Sequence, residues 1–157
     1  MFARLFGRRA LLGLALAAAL APAHAALAKG SKLEPLEIVT ATGRAKFQVE
    51  VVDNDATRAK GLMNRKSLAA DRGMLFDFKT PRDVAFWMRN TYIPLDMIFI
   101  RSDGRILSIA RNAKPFDETP IPSGGPIRGV LEIPGGRAAQ IGMLPGDRVL
   151  HRIFPRD

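Results

Sequence analysis

Short apolar runs cut by turn residues constrain this chain most. Lys46 to Val52 alternates, with Phe47, Val49 and Val51 on one face and Gln48 and Glu50 on the other. That period of two is the mark of a half-buried strand. Leu36 to Thr40 is a second strand, and Thr42-Gly43 between them predicts a hairpin. Further strands are expected at 74–78, 84–88, 95–100, 106–110, 129–133 and 147–154. Ser102-Asp103-Gly104 carries the Asp-Gly signal of a hairpin turn. Helical spacing occurs briefly, in Ala56, Ala59 and Met63 after an Asp53-Asn54-Asp55 cap, and again from Arg137 to Gly142. Residues 112–127 hold four prolines and Gly124-Gly125, which predicts a long loop. The expected fold is mostly β, a compact β-sandwich or partly closed barrel with two short helices.

The first residues are of another kind. Arg4, Arg8 and Arg9 precede an apolar run from Ala10 to Ala21, and Ala23-His24-Ala25 follows. This is the layout of a secretory signal peptide cleaved after Ala25, with Ala28 as a second cut site. The run is shorter than the roughly 20 apolar residues of a membrane span. Arg8-Arg9 raises the twin-arginine route, although its flanking residues favour the general one. Residues 26–35 read as a flexible lead-in, and 36–157 as a single β-rich domain. The expected location is the periplasm or the exterior.

Composition narrows the partners. The chain has no cysteine, so disulfides and thiolate metal sites are excluded. Three of its 24 Lys and Arg lie in the leader and none of its 15 Asp and Glu, which leaves +6 on the mature part. The basic residues are scattered, as on a hydrated surface, and an exported chain is not expected to meet nucleic acid. Envelope polysaccharide and exported proteins are the expected partner classes. No cofactor is expected. His151 alone supports neither a zinc site nor a catalytic triad, and the methionines read as core rather than copper ligands.

Several segments together are distinctive. They are Thr57-Arg58-Ala59-Lys60-Gly61-Leu62-Met63, then Gly73-Met74-Leu75-Phe76, then Phe86 to Asp96, and finally Val130-Leu131-Glu132 before a glycine and a short helix. From Leu36 to Phe154 the chain resembles the exported bacterial and archaeal family known as domain of unknown function 192. The resemblance implies a mostly β domain with short helices. It implies no activity and supplies no catalytic residues.

Candidate chemistry centres on Trp87, Arg89, Asn90 and Thr91. An indole beside a charge, an amide and a hydroxyl suits a sugar or an anionic group. The competing reading puts Trp87 in the core and leaves Asn90 and Thr91 to a tight turn. Asp96 opens an apolar strand, where a carboxylate needs a cation or several N–H donors. Arg58 is the expected partner, in a structural ion pair. Asp117-Glu118 is either a solvated loop tip or a ligand-facing lid. Gly135-Gly136 before Arg137 is either a plain turn or a corner whose N–H groups hold an anion. The leading functional reading is a non-enzymatic binding module using Trp87, Arg89, Asn90, Thr91, Asp96, Glu118 and Glu132. The alternative is a small envelope hydrolase or carbohydrate-active enzyme pairing Asp96 with Glu132 or Glu118, whose carboxyls would then lie within about 5–10 Å.

Overall fold

The structure, a computed structural model, describes residues 32–155. The expected signal peptide, and the expected lead-in up to residue 31, lie outside the described residues. Nine strands and two short helices follow in the order β1 (Leu33–Thr40), β2 (Gly43–Val52), α1 (Asp55–Lys60), β3 (Arg72–Arg82), β4 (Ala85–Phe86), β5 (Leu95–Ile100), β6 (Ile106–Ala113), β7 (Ile121–Pro122), β8 (Ile127–Pro134), α2 (Arg137–Gln140) and β9 (Arg148–Leu150). The mostly β expectation therefore holds.

Seven strands form one sheet in the order β6-β5-β8-β3-β2-β1-β9. All its pairs are antiparallel except β2–β3, which α1 connects in parallel. The sheet curls until its ends meet. Gly104 and Ile106 exchange backbone hydrogen bonds with residues 146–149, and Arg105 bridges Arg148. Of the two architectures expected, this is the partly closed barrel.

Alternation then decides what each face buries. Ile98, Ile100, Leu131, Ile133, Leu75, Phe47 and Val49 fill the inside of the curl. Their strand neighbours Met97, Phe99, Val130, Met74 and Phe76 point outward, yet they are buried too. Residues from the connections, among them Leu62 and Met88, cover that outer face. All six residues of β5 are consequently buried, as in strands covered on both sides.

Several boundaries differ from expectation, each for a local reason. β1 begins at Leu33, because Leu33, Glu34 and Pro35 pair with Glu50, Val49 and Gln48. α1 is capped by Asn54, whose Oδ1 accepts from the Thr57 N–H at 3.0 Å. It stops at Gly61, where φ is +46°, so Met63 lies beyond the helix. The turn expected at Lys79–Asp83 is largely strand, with Lys79 at φ +64° and a register shift between Asp77 and Arg82. The loop expected at 112–127 contains β7, which pairs with β4. β9 ends at Leu150, and residues 151–154 form a turn.

Candidate functional site

Glu132 lies on the outward face of β8. Its direct cross-strand partners are Met74 on β3 and Met97 on β5, so methionines flank it and no donor comes from the sheet. α1 with Gly61 to Met63 covers it from one side, and the Ala85–Thr91 segment from the other. Between them is a cavity of about 290 Å³, lined by Leu62, Phe76, Phe86, Trp87, Thr91 and Glu132, with Arg58 and Lys60 also contributing. Phe86 holds the wall together, with its ring edge-to-face with Phe76, Phe78 and Phe99 at 5.0, 6.4 and 6.1 Å.

Glu132 is buried as a residue, with 5 % residual exposure. No hydrogen-bond or ionic partner reaches its carboxyl among the described residues. Burial pushes it up to about 8, with no compensating charge, so at neutral pH it is a carboxylic acid, able to donate and accept. Arg58, which lines the same cavity, is committed elsewhere. It donates to Asp55 Oδ1 at 2.6 Å and to the Asp77 carbonyl at 2.8 Å, and lies 5.3 Å from the centre of the Phe78 ring.

Trp87 is not the core residue of the competing reading; it is about half exposed at the cavity mouth. Arg89 lies 5.2 Å from its ring centre and is gripped by Glu118 through two hydrogen bonds of 3.0 and 2.8 Å. Tyr92 and Phe116 stack edge-to-face beside this segment, both exposed. Asn90 and Thr91 do serve the turn. Asn90 has φ +53° and its carbonyl accepts from Asn64, while the Thr91 hydroxyl donates to the Arg89 carbonyl. Thr91 is also buried against the cavity. Trp87, Arg89, Thr91, Glu118 and Glu132 are thus near neighbours, but only Trp87, Thr91 and Glu132 line the cavity.

Asp96 stands apart and corrects two expectations. It does not pair with Arg58. Its carboxylate accepts from the N–H groups of Asn112 at 2.8 Å, Gly136 at 3.0 Å and Ala138 at 2.7 Å. The corner at Gly135-Gly136 does hold an anion, and that anion is the protein's own Asp96. Three N–H donors satisfy a buried carboxylate without a cation. Nor can Asp96 couple with Glu132. Asp96 pairs with Ile133, whereas Glu132 pairs with Met97, so the two side chains leave opposite faces of the sheet. Glu118 is exposed and bonded to Arg89, while Asp96 is sealed at 0 % exposure. The acid–base couple of the hydrolase reading therefore has no geometry here.

Sequence reasoning missed the walls. Leu62, Phe76, Phe86 and Tyr92 fall within the segments that carry the family resemblance, but no local pattern marks them or Phe116 as parts of one site. Phe76 and Phe78, two apart on one strand, are the local signal for the aromatic cluster that Phe86 completes. Asp77 was also missed. Burial alone would raise its carboxyl, but Arg128 and the Lys79 N–H and ammonium lower it to about 2. A larger concavity of about 920 Å³ lies along β1, β2 and β9, where Glu34 and Glu37 already pair with Arg152 and Arg44. No three metal-ligating side chains gather among the described residues, and no described helix is long and apolar enough to cross a membrane.

The comparisons with known proteins agree with this fold. A Novosphingobium aromaticivorans protein of unknown function has a crystal structure similar to this one, with a TM-score of 0.77 and 46 % identity, over 80 % of this chain and 89 % of that one. A Sinorhizobium meliloti protein, described as a proposed transcription regulator, has a TM-score of 0.76 and 43 % identity, over 78 % of this chain and 95 % of that one. Among curated proteins no match was found. The family called domain of unknown function 192, described as "Uncharacterized ACR", matches residues 37–151. The chain belongs to that family.

Proposed function

We propose that this protein is an exported, non-enzymatic binding module of the cell envelope, and that its ligand enters the cavity between α1 and Trp87. The observation that carries the reading is Glu132, a buried carboxyl without a partner that faces an accessible cavity. A buried polar group is normally satisfied within the fold. One left free in a cleft lined with aromatic rings is the mark of a binding site. Binding rather than catalysis is favoured because, among the described residues, no second carboxylate and no histidine lines the cavity. The Thr91 hydroxyl is turned to the Arg89 carbonyl.

Export rests on the leader and its Ala23-His24-Ala25 site. The volume of about 290 Å³ suits a small molecule or one group of a larger one. An envelope polysaccharide or exported protein would meet the rim, where Trp87, Tyr92 and Phe116 are exposed. The two described helices have six and four residues, short for a helix that reads a major groove.

Two measurements test the reading. Cell fractionation with N-terminal sequencing should find the chain outside the cytoplasmic membrane, beginning at Ala26 or at Lys29. A small-molecule screen read by Trp87 fluorescence and amide NMR should find ligands that perturb Trp87 and Glu132. An uncleaved cytoplasmic chain would refute export. A broad screen with no binding better than about millimolar would refute the binding site.

A further inference from the structure

The cavity's polar inventory restricts what it can hold, and the following rests on the proposed binding role. Among the described residues, Glu132 brings the one buried side-chain polar group there without a partner, a carboxyl with both oxygens free, while the unpartnered Lys60 is exposed. Thr91 has spent its proton on Arg89. Met74 and Met97 flank Glu132 on the sheet and offer no donor. Phe76, Phe86 and Trp87 supply flat apolar walls.

We infer that the cavity recognises an uncharged amide or lactam on a flat apolar body, through a reciprocal pair of hydrogen bonds with the Glu132 carboxyl group. A carboxylic acid presents one donor and one acceptor side by side, and an amide presents the complement. Pairing the two satisfies both oxygens, and the aromatic walls take the body of the ligand. A charged ligand fits less well. An ammonium would need Glu132 ionised in a buried site and would share the cavity with Arg58 and Lys60. A carboxylate has no donor to return to the second Glu132 oxygen. Among the described residues, the ionisable groups that line the cavity besides Glu132 are Arg58 and Lys60, both from α1. The parts of β3, β5 and the Ala85–Thr91 segment that line or flank it contribute none.

Benzamide, benzylamine and benzoate test the inference, since they differ chiefly in the polar group. Each is titrated into the mature chain by calorimetry and amide NMR, at about pH 6 and about pH 9, with circular dichroism confirming the fold at both. Benzamide should perturb Glu132 and Trp87 and bind at least about tenfold more tightly than the others at the lower pH. Its affinity should fall several-fold at the higher pH, where Glu132 loses its proton. Glu132→Gln should keep benzamide binding and lose the pH dependence, because a glutamine amide also offers a donor and an acceptor. Glu132→Leu should abolish binding. Preference for benzylamine or benzoate, or equal binding of all three, would overturn the amide inference and leave the cavity as a ligand site. Failure of all three to perturb Glu132 and Trp87 would overturn the inference together with the binding role it rests on.

Discussion

Glu132→Gln should make this protein more stable at neutral and alkaline pH. The wild-type carboxyl has a folded-state value of about 8 against an ordinary 4.5, because burial disfavours its charged form. The unfolded chain therefore releases this proton first. Stability is fully present below about pH 4.5 and declines until the pH passes about 8. The slope is about 1.4 kcal/mol per pH step, so the loss is roughly 3.5 kcal/mol by neutrality and on the order of 5 kcal/mol above pH 8. Set against a typical stability of about 5–15 kcal/mol, that is a large fraction. Glutamine keeps the shape and cannot ionise. Urea unfolding of both proteins across this range gives the difference directly, since all other titrating groups are shared. That difference should shift in favour of the variant by about 3 kcal/mol between mildly acid and neutral pH. A shift below about 1 kcal/mol would show that Glu132 is solvated or paired, and the account of the cavity would fail.

Asp96→Ala strands three backbone donors and should cost about 3–5 kcal/mol in chemical unfolding; a cost under about 1 kcal/mol would refute the sealed corner. Arg58→Ala, which removes the Asp55 pair and the Phe78 contact, should cost about 1–2 kcal/mol. Combined with Asp96→Ala it should add within about 0.5 kcal/mol, as two uncoupled sites do, and clear coupling would restore the pair expected from sequence. Gly73→Ala should cost about 1–3 kcal/mol or more, read as a lower melting temperature, because a Cβ there would lie 2.7 Å from the Glu132 carbonyl oxygen. Asp77 is held at about 2, below its ordinary 3.8. Its contribution, about 2 kcal/mol, is present above pH 4 and lost as pH falls through 2. Arg128→Ala should move acid unfolding to higher pH, and an unchanged acid midpoint would refute the Arg128 grip.

Local pattern carried much of the architecture. The alternation of Phe47, Val49 and Val51 placed β2, and Asp103-Gly104 placed the β5–β6 turn, where Gly104 has φ +81°. Asn54 announced its own cap. These features depend on neighbours in sequence, so the sequence alone determined them: the mostly β class, the brevity of the helices and most strand centres. Trp87, Thr91 and Glu132 were also legible as candidates. Which of them act together was not, because that depends on pairings across long stretches of chain. The register that sets Glu132 opposite Met74 and Met97 also turns Asp96 to the opposite face. A one-residue shift would reverse both. Asp96 drew three donors from residues 16 to 42 positions away, and no local rule separates that solution from an ion pair with Arg58. The tertiary structure alone decided that one buried carboxyl is satisfied and the other left free, because burial and hydrogen-bond supply belong to the assembled sheet rather than to any segment of it.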